Sequence, residues 1–138
     1  MAKGDSSTRV QAAQTLLIVD DERSLRFSIG EWARDAGYQP LEAAASHEAL
    51  ARCDGSVGLI ITDWNMPNMG GLDLVKNLRA KPETSTTPIL MVTTRSVRED
   101  ILTAVQAGVS NYIVKPFTPQ VLKEKIDAML AGAAAAAA

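Results

Sequence analysis

The chain has 138 residues, 46% of them hydrophobic and 22% charged, with 14 basic and 16 acidic side chains. That length fits one domain with a core of its own, and a net charge of −2 excludes binding to nucleic acid or to an anionic membrane as the main activity. The single cysteine, Cys53, excludes an internal disulfide and a multi-cysteine metal site. The longest clean apolar runs, Leu16 to Val19 and Leu59 to Ile61, are far shorter than the ~20 residues that a spanning helix needs. The amino-terminal residues lack the apolar core of a signal peptide, so the expected location is the cytoplasm.

Residues 1–14 are small and polar without periodicity and read as a flexible arm. Leu16-Leu17-Ile18-Val19 is a first strand, stopped by Asp20-Asp21. Leu25, Ile29, Trp32, Ala33 and Ala36 then recur at helical spacing, with Gly37 where that helix would end. Phe27 and Trp32 are expected to pack on the face of that helix. Residues 39–44 make a weak second strand, and Ser46 is placed to cap a short helix containing Ala49, Leu50 and Cys53. Leu59-Ile60-Ile61 is a third strand ending at Thr62-Asp63. A loop with Pro67, Gly70 and Gly71 leads to a helix carrying Leu72, Val75 and Leu78. Pro88 to Thr93 is a fourth strand; Ile101, Leu102 and Val105 mark a helix closed by Gly108; Tyr112-Ile113-Val114 is a fifth strand. Thr118-Pro119 is a cap followed by proline at the first helical position, opening a helix with Val121, Leu122, Ile126, Met129 and Leu130. The alanine-rich residues 131–138 read as a tail, either a continuation of this helix or an appendage, and the folded domain is expected to span 15–130.

Continuous apolar strands alternating with amphipathic helices predict an α/β fold, a five-stranded parallel sheet covered on both faces. In such a sheet the carboxyl ends of the strands share one edge, where ligands bind. Asp20-Asp21, Asp63, Thr93-Thr94 and Lys115-Pro116 follow strands one, three, four and five, so three carboxylates, hydroxyls and one ammonium are expected in one pocket. Three crowded carboxylates raise one another's pKa, and a hard divalent cation such as Mg²⁺ relieves that repulsion. Lys115 supplies a point charge suited to a phosphoryl oxygen, and Thr93 a hydroxyl donor. A carboxylate can itself accept a phosphoryl group. Asp63, alone at the end of a central strand, is the best nucleophile, and Asp20 and Asp21 are better placed as metal ligands.

The segments Asp20-Asp21, Asp63-Trp64-Asn65-Met66-Pro67-Asn68-Met69, Pro88 to Thr93 and Lys115-Pro116-Phe117, in this order and at these intervals, resemble the response-regulator receiver domains of two-component signalling over about residues 15–130. Within them the chain is most similar to chemotaxis regulators of the CheY type. The resemblance implies a flavodoxin-like, doubly wound sheet of strand order 2-1-3-4-5. It implies Asp63 as phosphoacceptor, and Asp20, Asp21, Asp63 and the backbone carbonyl of Asn65 as ligands of Mg²⁺, with Mn²⁺ as a substitute. It further implies Thr93 as a switch hydroxyl, Lys115 as the phosphate-binding lysine, Tyr112 as a switch aromatic and a cis Lys115-Pro116 bond. Two departures stand out. Met69-Gly70-Gly71 replaces the usual Met-Asp-Gly or Met-Asn-Gly, so Gly70 is expected to loosen that loop, and Arg95 stands where chemotaxis regulators often carry an acid.

The implied function is a phosphorylation-activated switch, not an enzyme in the ordinary sense. A histidine kinase or phosphotransfer protein phosphorylates Asp63, and a face made of strands and helices four and five then meets a downstream protein. Arg95, Arg98, Lys123 and Lys125 give that face a basic character, and a monomer or weak homodimer is expected. A receiver excised from a longer transcriptional or enzymatic regulator is the alternative. A phosphatase with an aspartyl-phosphate intermediate would place a second acid where Asn65 stands, and a decayed module would not keep Asp20, Asp21, Asp63, Thr93 and Lys115 together. Cys53 is expected in the core and His47 in solvent.

Overall fold

The computed structural model describes residues 14–137. Its elements alternate strictly: β1 (Thr15–Val19), α1 (Arg23–Asp35), β2 (Gln39–Ala43), α2 (Ser46–Arg52), β3 (Val57–Thr62), α3 (Gly71–Ala80), β4 (Ile89–Thr93), α4 (Arg98–Ala107), β5 (Asn111–Val114) and α5 (Pro119–Ala137). The sheet order is β2-β1-β3-β4-β5 with every pair parallel, the order that the family resemblance implies. The arm expected over 1–14 lies, except for Gln14, outside the described residues.

The period-two geometry of a strand divides the core into two layers. Leu17, Val19, Ile60 and Met91 point to one face and meet Ala49, Leu74, Val75, Leu78 and Ala104 from α2, α3 and α4. Leu16, Ile18, Leu59, Ile61, Leu90 and Val92 point to the other and meet Ile29, Ala33, Leu122 and Ile126 from α1 and α5. Each such Leu or Ile is worth about 1.5–3 kcal/mol when fully buried. A one-residue slip of β1 would merely exchange two apolar faces, so its register depends on its neighbours and on where Asp20 must end.

Several local expectations change. Ser46 does not cap α2: Ala45 holds that position, and the Ser46 hydroxyl donates to the Met69 carbonyl at 2.8 Å. Ser46 thus pins the loop after β3 instead of capping the start of a helix. Phe27 does not pack; it is 62% exposed, on the outer side of α1, while Trp32 lies half-buried against the core. Leu102 and Val105 also face outward on α4, whose buried contact is the small Ala104. Thr118 caps α5 as expected, accepting from the Val121 N–H at 3.2 Å. No break occurs at residue 130, because a run of alanines continues the helix to Ala137.

Away from the carboxyl edge, Arg79 at the end of α3 donates to the carbonyls of Thr84, Thr87 and Gly108 at 3.1, 2.7 and 3.0 Å. Gly108, at φ 116°, ends α4 in the left-handed region that glycine adopts freely, directly against the Arg79 side chain. Among the described residues no helix is long and apolar enough to cross a membrane.

Candidate functional site

Asp20 follows β1, Asp63 follows β3, Thr93 ends β4 and Lys115 follows β5. Parallel pairing delivers all four to one edge. The Asp63 N–H donates to the Val19 carbonyl at 3.2 Å, and the Lys115 N–H to the Thr93 carbonyl at 2.8 Å. The Lys115-Pro116 bond is cis.

At the centre the Lys115 ammonium lies between two carboxylates, 3.1 Å from Asp20 Oδ2 and 3.0 Å from Asp63 Oδ2. The three side chains are 15%, 5% and 12% exposed. The other carboxylate oxygens are also engaged. Asp20 Oδ1 accepts from the Glu22 N–H at 2.9 Å, and Asp63 Oδ1 from the Trp64 N–H at 2.6 Å. Burial opposes the Lys115 charge, but hydrogen bonds to Asp63 and Asp20 and their negative charges outweigh it, so its pKa lies above the ordinary lysine value. Burial raises the Asp20 pKa, against the lowering effects of the Glu22 N–H and Lys115. The Lys115 shift favours its charged form, while burial disfavours the charged form of Asp20. Burial, rather than carboxylate crowding, is the first cause of the raised Asp20 value.

Asp21 departs from expectation. It is exposed, because residues alternate sides where the chain leaves β1. Two carboxylates meet, not three, and among the described residues no three Asp, Glu, His or Cys side chains are grouped closely enough to hold a metal ion. The donors still suit Mg²⁺: they are hard oxygens, two of them on buried carboxylates with Asp21 one residue away, and this ion takes one or two carboxylates and completes its shell with water and phosphate. Asp20 and Asp63 would supply its carboxylates, and it would neutralise charge on a phosphoryl group beside them.

Asn65 is exposed, and its side-chain oxygen accepts from Arg95 Nε and Nη2 at 3.2 and 3.1 Å. Arg95 also covers the Trp64 ring, its Cζ 4.6 Å from the centroid, and reaches Asp100 at 3.5 Å. The Tyr112 hydroxyl donates to the Arg95 carbonyl at 2.8 Å, and Thr93 Oγ1 lies 3.4 Å from the Arg95 N–H. Thr93 is fully buried and Tyr112 half-buried. The residue that departs from the family pattern thus joins the loops after β3 and β4 to β5 and α4.

Gly70, at φ −71° and ψ 168°, takes a backbone that any residue adopts. The left-handed residue is Asn68, at φ 69°, a type that tolerates this region. Sequence reasoning missed Gly71, where a Cβ would collide with the Asp63 peptide, and Ser46, which holds Met69. A glycine at the start of a helix, where it is a poor choice by propensity, was the available signal for the first.

A sequence model of the response regulator receiver domain matches residues 16–127. The chain is 48% identical over 118 residues to the chemotaxis protein CheY1 of Helicobacter pylori, covering 83% of this chain and 95% of that protein. It is 46% identical over 114 residues to the chemotaxis protein CheY-3 of Vibrio cholerae, covering 81% and 88%. Among solved structures it is similar to the V. cholerae chemotaxis protein CheY4, with a TM-score of 0.79 and 36% identity over 86% of this chain and 99% of that one.

Proposed function

The chain belongs to the response regulator receiver domain family, and from that premise we propose that it is a chemotaxis-type switch phosphorylated on Asp63 by a histidine kinase in the cytoplasm. The observation that carries this reading is the Lys115 ammonium held between the Asp20 and Asp63 carboxylates. A buried carboxylate beside a cation is a nucleophile with its charge partner already in position. An Asp63 oxygen attacks phosphorus; the new P–O bond forms as the P–N bond of the donor's phosphohistidine breaks, and the electron pair leaves on the imidazole nitrogen. Lys115 stays on the phosphoryl oxygens, and Asp20, Asp21 and the Asn65 carbonyl are the remaining candidates for holding Mg²⁺.

Thr93 and Tyr112 carry the consequence outward. The Thr93 hydroxyl turns to the phosphoryl oxygen, and the segment 94–98, tied to Tyr112 through the Arg95 carbonyl, settles in a new arrangement. Phosphate works as a ligand that favours one of two existing states. The readout is protein contact through β4, α4, β5 and α5. Val97, Leu102, Val105, Val114 and Val121 are all exposed there, and Arg98, Lys123 and Lys125 border them.

Acetyl phosphate with intact-mass measurement tests the reading. We expect one phosphoryl group per chain, dependent on Mg²⁺ or Mn²⁺, abolished by chelator and by Asp63→Asn. Undiminished labelling of Asp63→Asn moves the acceptor elsewhere; rapid catalytic turnover makes the chain a phosphatase instead.

A further inference from the structure

Asp20 is held from its backbone as well as through its carboxylate. Its N–H donates to the Ala43 carbonyl of β2 at 3.2 Å. Its carbonyl accepts from Arg26 Nη1, one turn into α1, at 2.7 Å. The same guanidinium donates through Nε to Glu42 Oε1 at 3.2 Å, one residue before Ala43. Arg26 is 14% exposed, a long cation laid down between α1 and β2 beneath the end of β1. One planar fork therefore fastens the Asp20–Asp21 peptide to the neighbouring strand through two of its edges. A lysine, with one nitrogen, cannot reproduce both contacts in that geometry.

We infer that Arg26 is a positioning residue of the candidate site, fixing the Asp20–Asp21 peptide and with it the buried Asp20 carboxylate that would hold a divalent cation together with Asp63. The inference rests on the proposed role of these two acids. Rotation of this one peptide would move the Asp20 carboxylate off its contacts with the Glu22 N–H and Lys115. Arg26 touches no reacting atom; it acts through the main chain. Glu42 orients Arg26, and being 44% exposed it can be altered with little effect on the core.

The test is Mn²⁺ affinity, read from the paramagnetic signal of the free ion, with amide exchange at Glu22, whose N–H rests on Asp20 Oδ1. Loss of a group that orients metal ligands costs roughly 10–100-fold in affinity, and we expect the lower end, about tenfold, for Arg26→Met, with faster exchange at Glu22. Arg26→Lys should recover only part. Glu42→Ala should weaken binding less, Glu42→Gln should hardly matter because its carbonyl still accepts from Nε, and adding Glu42→Ala to Arg26→Met should cost nothing more. If Arg26→Met fails to fold, the Glu42→Ala and Glu42→Gln pair decides. Wild-type affinity and Glu22 exchange in Arg26→Met would overturn the inference alone. A wild-type chain that neither binds Mn²⁺ nor labels on Asp63 would overturn the functional reading and this inference with it.

Discussion

At Gly71 the main chain leaves no room for a side chain. An added Cβ would overlap the Asp63 carbonyl oxygen and come within 3.0 Å of the Trp64 Cα, all backbone atoms that cannot swing away. The first turn of α3 is thus packed on the peptide that carries the candidate acceptor, and the Gly71 N–H donates to the Trp64 carbonyl at 2.8 Å. We expect Gly71→Ala to cost about 2 kcal/mol or more, as overpacking of a tight site does. It should also slow labelling of Asp63 by displacing it. Gly70→Ala, at an ordinary φ, should cost less. Urea unfolding and acetyl-phosphate labelling of the two variants check both statements. Little of this is legible in the sequence: Gly70 stands out because it breaks the family pattern, while the demand for glycine sits one residue on, where the start of α3 folds back on the end of β3.

Between elements, two polar side chains act as struts. Arg79 gathers the carbonyls of the loop after α3 and of Gly108, and burial lowers its pKa without threatening its charge. Arg79→Ala leaves those carbonyls unpartnered, and we expect a loss of about 2–3 kcal/mol in chemical denaturation. Tyr38 ties the α1–β2 turn to α5, its hydroxyl donating to Asp127 at 2.8 Å. Burial first, then the Asp127 hydrogen bond and charge, push its pKa up to about 12 from 10. The folded state therefore keeps the phenol proton after the unfolded chain has lost it, so this contribution is whole below about pH 10 and is lost as pH rises toward 12. Asp127 has the opposite dependence: hydrogen bonds from Lys123 and Tyr38 lower its pKa, and its contribution fades as pH falls through that lowered value. Tyr38→Phe should cost ~1 kcal/mol at neutral pH and flatten the stability profile between pH 10 and 12. An unchanged alkaline slope in that variant would remove Tyr38 from the account.

For the molecule as a whole, a single short loop, residues 94–97, joins Thr93 beside the Asp20–Lys115–Asp63 cluster to α4 on the proposed output face. Amide exchange over residues 94–116 should change on phosphorylation of the wild type. Thr93→Ala should accept phosphate yet lose most of that change, since the hydroxyl proposed to sense the group is gone while Asp63 and Lys115 remain. An identical exchange pattern with and without phosphate in the wild type would rule the coupling out.

Architecture was legible because it is written in periodicity. Five apolar runs between helical patterns specify a covered parallel sheet, and Asp20, Asp63, Thr93 and Lys115 at the ends of those runs must share an edge wherever the strands lie. The strand order came from family resemblance rather than from pattern. What only the tertiary structure decided is which of those groups touch and what holds them. Lys115 reaches across to both Asp20 and Asp63, Asp21 turns to solvent, Ser46 leaves its helix end for Met69, and Arg26 and Arg95 close over the loops. These are contacts between residues 6 to 95 positions apart or placements set by a single peptide's rotation. Hydropathy carries no record of either, because a polar side chain at a loop looks the same in sequence whether it meets water or a partner folded onto it.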